Sequence, residues 1–350
     1  MASRLNCLVA GMMLSATAHA VGSAPTGIVD GRAEFRAVFC GLMLRDDPGA
    51  RCNDWLRRFP DEPAAANTPP LGDPPAVNIV IIGGLFSECL PSLATFGDAG
   101  VRLRAGGYRV SHAPVKGRAS AEVNAAIIRA HVAQERTALP DLPLVIVAYS
   151  KGVADTMTAL VVYPEMAASV GAVISVAGVV KGSHAADRMV RLYDATAAVF
   201  PLNRCPVNDG GEVRSLTREY RTGWLAAHPL PDKPLYFSIV GLPTPARVSA
   251  VFAPFQRRLA RIDRRNDGQM IYSDAILPRG SLLGYANADH FAIALAMPEA
   301  RLLGVNRNDF PRAQMVEAAV RIAQSRLRSS GSSTASSRSP TPPPASSRTP

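Results

Sequence analysis

Lysine is almost missing from this chain: Lys116, Lys151, Lys181 and Lys233 are the only ones, and arginine carries nearly all of the net charge of +10. A basic balance invites a nucleic-acid reading. The arginines are scattered, however, and no nucleic-acid-binding motif accompanies them, so nucleic acid is not expected as a partner. Attraction to an anionic membrane surface stays open. Also absent are a G-x-x-x-x-G-K-[ST] phosphate loop, a G-x-G-x-x-G after a strand and an H-E-x-x-H helix, which removes the common nucleotide and zinc-peptidase readings. The histidines do not cluster and the cysteine spacings do not suit zinc. No metal and no cofactor is expected. Beyond the first twenty residues no apolar run reaches the roughly 18 residues needed to span a bilayer.

Both ends of the chain stand apart from the fold. Arg4, the apolar stretch from Cys7 to Ala16 and the small residues Ala18-His19-Ala20 read as a secretory signal peptide, residues 1–20, cleaved after Ala20. The protein is therefore expected to be exported, to the periplasm or outside the cell. Residues 328–350 hold no large apolar side chain and are expected to form a disordered Ser/Pro/Arg tail. After removal of the signal, Cys40, Cys52, Cys89 and Cys205 remain. In an oxidising compartment these allow three pairings. The turn Asp46-Asp47-Pro48-Gly49 favours Cys40–Cys52, and Cys89–Cys205 follows.

Between the ends, residues 21–76 read as an N-terminal extension with helical signals around Phe35 and around Trp55–Phe59, closing in a Pro-rich linker. Residues 77–327 then alternate. Val77–Ile82 is rich in β-branched residues and reads as a buried strand. Strands are expected again at 108–113, 144–149, 170–180 and 234–241. Helices are expected ending near Gly106, over 119–137 with Ser120 as cap, and over 153–162. Apolar strands alternating with helices predict an α/β fold with a mostly parallel central sheet covered on both faces. Residues 184–233 break the pattern and read as a lid insertion.

Leu144–Tyr149 is an unbroken apolar run that stops at Ser150, with Ala148 and Gly152 two residues to either side. A strand turning sharply into a helix would hold the Ser150 hydroxyl at the tip of the turn, and the backbones close enough to require small neighbours. Such a nucleophile needs a base and an orienting acid. His290, after the last strand and before a terminal helix, is the candidate base, whereas His112 and His131 read as structural. Asp263, Asp267, Asp274 and Asp289 are available as acid. Asp267, in the turn Arg265-Asn266-Asp267-Gly268, ranks first and Asp274, at the far end of a short expected strand, second. Backbone donors for an oxyanion are expected from Lys151 and from Leu85 or Phe86, after Gly83-Gly84. The side chain of Lys151 is expected to face solvent.

The order Ser150, Asp267, His290, with the Gly83-Gly84 loop upstream, resembles the α/β-hydrolase superfamily over roughly 77–326. The stretch Val176-Ala177-Gly178-Val179-Val180-Lys181-Gly182-Ser183, followed by Ala186-Asp187, is similar to a strand-end segment of bacterial secreted lipases and carboxylesterases. The Asn266-Asp267-Gly268 turn is similar to their acid-bearing turn. The resemblance implies a serine esterase or lipase-like hydrolase acting on a small-molecule or lipid ester through an acyl-enzyme. An acyltransferase with the same triad, or an inactive envelope or binding protein of this fold, are the alternatives.

Overall fold

The computed structural model describes residues 25, 27–64, 71–87, 94–196, 209–296 and 309–335. The signal segment and the Cys89–Cys205 pairing lie outside the described residues. Eight strands are present among them: β1 (Val29–Asp30), β2 (Leu56–Arg57), β3 (Asn78–Ile82), β4 (Arg109–His112), β5 (Leu144–Tyr149), β6 (Val170–Val176), β7 (Leu235–Gly241) and β8 (Ser281–Ala286). They form one sheet in the order β1-β8-β7-β6-β5-β3-β4 with every pairing on that path parallel. Only β2 runs antiparallel, against the end of β8.

Burial on both faces explains the unbroken apolar strands. In β3, Ile79 and Ile81 belong to the core layer on one face of the sheet, which α1 (Arg32–Asp46), α2 (Gly97–Ala105) and α9 (Arg312–Ala335) complete with Phe35, Leu103 and Met315. Val80 and Ile82 point the other way, toward α3 (Ala121–Ala138) and α4 (Lys151–Val162), where Ile128, Val153 and Met157 meet them. Ser120 caps α3, its hydroxyl accepting the Val123 N–H at 3.3 Å. The remaining helices are α5 (Pro164–Ser169), α6 (His184–Thr196), α7 (Arg218–Ala227) and α8 (Ala253–Leu259).

The structure departs from the sequence reading in several places. The segment around Trp55 is strand and not helix: β2 pairs with β8, and α1 lies across β8 so closely that a Cβ at Gly284 would come within 3.1 Å of the Phe35 ring. The N-terminal extension is thus part of the sheet layer, fastened by a Cys40–Cys52 disulfide. Strand β6 stops at Val176 because Ala177 turns to a φ of +47°. The segment between Asp267 and Asp274 is no strand. It makes a single bridge, Asn266 to Ile271, and then a 3-10 turn at Tyr272–Asp274. At the C-terminal end α9 runs to Ala335, past the Arg328 boundary that composition suggests. Within the expected lid, α6 and α7 bracket residues 197–208, which are outside the described set.

Candidate active site

The apolar run of β5 delivers Ser150 to the sheet's carboxyl edge, and the chain turns at once into α4, two residues earlier than periodicity suggests. Ser150 has a φ of +51° and a ψ of −120°, a conformation that L-residues rarely adopt. The turn is held from several sides. The Ser150 N–H donates to the Val176 carbonyl at 3.2 Å, and its own carbonyl accepts from Val153 and Val179 at 3.1 and 3.0 Å. Gly152 is obligatory, since a Cβ there would stand 2.4 Å from the Gly83 carbonyl oxygen and 2.8 Å from that of Ile82.

His290 and Asp267 reach this serine from distant segments. The Ser150 hydroxyl donates to His290 Nε2 at 2.9 Å, and His290 Nδ1 donates to Asp267 Oδ2 at 2.8 Å. All three side chains are buried. The carboxylate's other oxygen, Oδ1, accepts the N–H groups of Gln269 and Met270 at 2.9 and 2.7 Å, so the acid is oriented by its own turn. That turn is tight: Gly268 has a φ of +95°, and a Cβ at Gly241 would meet the Asp267 Cβ at 2.8 Å. With Nδ1 committed as a donor to Asp267, Nε2 is left with its lone pair toward Ser150.

The second-ranked acid does not join them. Asp274 pairs with Arg218 of α7, and burial pushes its carboxyl up, an effect that Arg218 and Lys181 only partly offset. Because the chain after Asp267 turns instead of running as a strand, Asp274 ends on the α7 side. Asp289 holds the histidine loop: it accepts the Ser249 N–H at 2.7 Å, the Ser249 hydroxyl, and the N–H groups of Phe291 and Ala292 at 3.1 and 3.0 Å. His131 bonds Ser111 at 3.0 Å and His112 the Thr95 carbonyl at 3.3 Å, and neither bonds Ser150.

Leu85 and Phe86 occupy the turn after β3, which Ser87 closes by donating to the Gly84 carbonyl at 3.3 Å. A Cβ on Gly84 would stand 3.0 Å from the Tyr149 ring and 3.2 Å from the Ser150 Cβ, so only glycine lets this backbone approach the serine. Phe86 has a φ of +60°. Among the described residues, no backbone hydrogen bond uses the N–H of Leu85, Phe86 or Lys151.

Two features escape sequence reasoning. The Tyr149 hydroxyl donates to the His290 carbonyl at 2.7 Å, and its ring lies 5.3 Å from the imidazole. Burial, reinforced by the charges of Asp267 and Asp289, raises this phenol well above its ordinary value, which keeps it a neutral donor. The Lys151 side chain, expected in solvent, is fully buried because α4 is covered along its length by α3 and the sheet. Its ammonium sits 2.7 and 2.8 Å from the two Asp155 oxygens, and Asn124 Nδ2 donates to Asp155 Oδ2 at 2.8 Å. Burial pushes the Asp155 carboxyl up, against the pull of the Lys151 cation. The i,i+4 spacing of Lys151 and Asp155 was the only available signal.

A cavity of about 280 Å³ opens beside Ser150 and His290, walled by Phe86, Val179, Met189, Leu216, Met270 and Phe291. Ser183, from the stretch after β6, seals one side by donating to the Gln269 carbonyl at 2.8 Å. Asp187 ties α6 to α7 by accepting the Arg218 N–H at 2.8 Å.

A metagenomic carboxyl esterase, MGS0156, superposes on this chain with a TM-score of 0.78 at 36% identity, covering 86% of this chain and 93% of its own. The Bacillus licheniformis lipase BlEst2 in its mature form superposes with a TM-score of 0.51 at 23% identity, over 63% of this chain and 86% of its own. Its propeptide form gives 0.52 at 23% identity, over 63% of this chain and 47% of its own. The lipase likeness speaks for the fold alone. No protein-family model and no curated protein matches the chain.

Proposed function

This chain belongs to the α/β-hydrolase family, among its esterase- and lipase-like members, and we propose that it is an exported serine esterase for apolar acyl esters, with Ser150, His290 and Asp267 as its triad. The observation that carries the reading is the hydrogen-bonded chain Ser150 Oγ–His290 Nε2 and His290 Nδ1–Asp267 Oδ2, at 2.9 and 2.8 Å, opening on an apolar cavity. Ser150 Oγ attacks the ester carbonyl while His290 Nε2 takes its proton, and Asp267 stabilises the imidazolium that forms. The N–H of Lys151, with that of Leu85 or Phe86, receives the oxyanion. The imidazolium returns the proton to the leaving alcohol. Water then repeats the sequence on the acyl-enzyme and releases the acid.

Apolar walls favour an apolar acyl group, because burying alkyl surface contributes about 25 cal/mol per Å². The Cys40–Cys52 disulfide supports export, since such bonds persist in oxidising compartments.

Labelling of the purified protein by a fluorophosphonate tests the nucleophile. Wild type and Ser87→Ala are expected to label and Ser150→Ala to stay dark. On p-nitrophenyl esters, Ser150→Ala lowers kcat by about 10⁶ and Asp267→Asn by about 10⁴. A folded wild type that does not label refutes the reading. Export predicts that the mature protein recovered outside the cytoplasm begins at Val21.

A further inference from the structure

The segment 251–264 carries a surface that the proposed chemistry does not use. Helical hydrogen bonds run through it beyond α8 itself: Gln256 donates to Phe252 at 2.8 Å, Ala260 to Gln256 at 2.9 Å and Asp263 to Leu259 at 2.9 Å. On this helical spacing Val251, Phe255 and Ile262 fall at i, i+4 and i+11, on one stripe. They are 43%, 48% and 60% exposed, among the most exposed large apolar side chains described. Beside them Arg257 and Arg261 stand at i and i+4, with Arg258 next to the apolar residues and Arg264 in the bend that follows. All four residues are exposed, and among the described residues none has a carboxylate partner. The one acid within the segment, Asp263, is already taken by Arg265 at 2.7 Å.

The inner side of the same segment is built into the candidate site. Phe252 is buried edge-on against Phe291 with ring centroids 4.4 Å apart, and Phe291 lines the cavity next to His290. Asn266, adjoining Asp267, donates to the Asp263 carbonyl at 2.9 Å. Ser249, ahead of the segment, is clamped by Asp289. An exposed apolar stripe flanked by unpaired arginines is the pattern of a helix that lies in a lipid interface: the apolar residues enter the headgroup boundary and the cations meet anionic headgroups.

We propose that residues 251–264 are a docking surface for an anionic phospholipid bilayer, which holds the cavity mouth at the membrane surface. Acidic protein and polyanion surfaces answer the charge of this patch but not its three exposed apolar side chains.

Vesicle co-sedimentation of the full chain tests this without any turnover, so its outcome is independent of whether Ser150 is a nucleophile. The wild type is expected to bind phosphatidylglycerol-rich vesicles and to leave pure phosphatidylcholine vesicles in solution. Salt of about 1 M, which cuts the screening length to about 3 Å, releases it. Each of Arg257→Gln, Arg258→Gln and Arg261→Gln lowers the partition coefficient about fivefold, the equivalent of about 1 kcal/mol per cation near the surface. Phe255→Ser lowers it about tenfold, while Arg109→Gln on β4, an exposed arginine at the far edge of the sheet, leaves it unchanged. All variants keep the wild-type melting temperature and hydrolysis of a soluble short-chain ester. Equal binding to neutral vesicles overturns the proposal, as does equal loss on Arg109→Gln. Binding that falls with the arginines but ignores Phe255→Ser also overturns it, because the surface would then be a general polyanion site.

Discussion

Ser150 is held at a φ of +51° by backbone hydrogen bonds to Val176, Val153 and Val179 and by the close approach of the backbones around Gly152. Gly152→Ala would drive a methyl into two backbone carbonyls, which cannot rotate away as a side chain can. The change is expected to cost about 1–3 kcal/mol, the range for overpacking, and to depress fluorophosphonate labelling along with stability. The Lys151–Asp155 pair makes a sharper case. Lys151→Met leaves a buried carboxylate without its cation, which costs about 3–5 kcal/mol, whereas Lys151→Met with Asp155→Leu recovers most of the loss. Urea denaturation of the two single variants and the double measures this, and additive losses would contradict it. Of the proposed site, the serine, histidine and small flanking residues were legible. The burial of Lys151 was not, because helix periodicity does not say how many sides of a helix are covered.

At the scale of elements, legibility followed length and burial. Strands β3 and β5 announce themselves because both faces are covered, so the run is apolar without interruption. Strand β2 is two residues long, too short to show a period, and the aromatic residues around it imitate a helix face. Its place beside β8 depends on the N-terminal segment folding back, and the Cys40–Cys52 bridge closes a loop with a sequence separation of 12 around that return. Replacing both cysteines by serine is expected to lower stability by about 2–3 kcal/mol. Thermal melting with and without dithiothreitol checks this: wild type should fall toward the variant on reduction, and the variant should not move.

For the molecule as a whole, pH enters through half-buried histidine. His131 joins α3 to β4 through Ser111, and burial lowers its pKa below the ordinary 6.5, with Glu135 opposing. The folded chain therefore binds this proton less readily than the unfolded chain. Its contribution is constant above about 6.5 and stability falls as pH drops from there through the folded value. Denaturation midpoints at pH 7.5 and 5 are expected to differ less in His131→Gln than in wild type; an unchanged difference would clear His131 of any part.

By itself the sequence determined the alternating α/β plan, the strand-to-helix turn at Ser150 and the chain order of the proposed serine, acid and histidine. These are written in local spacing, in runs of β-branched residues and in small residues where backbones must approach. Only the tertiary structure decided that Asp267 and not Asp274 meets His290, that Asp289 is spent on Ser249, and that Lys151 is buried. It also decided that the N-terminal extension completes the sheet. Each of these depends on which distant segments share a volume, and a hydrogen bond across 23 or 140 residues leaves no trace in either segment alone.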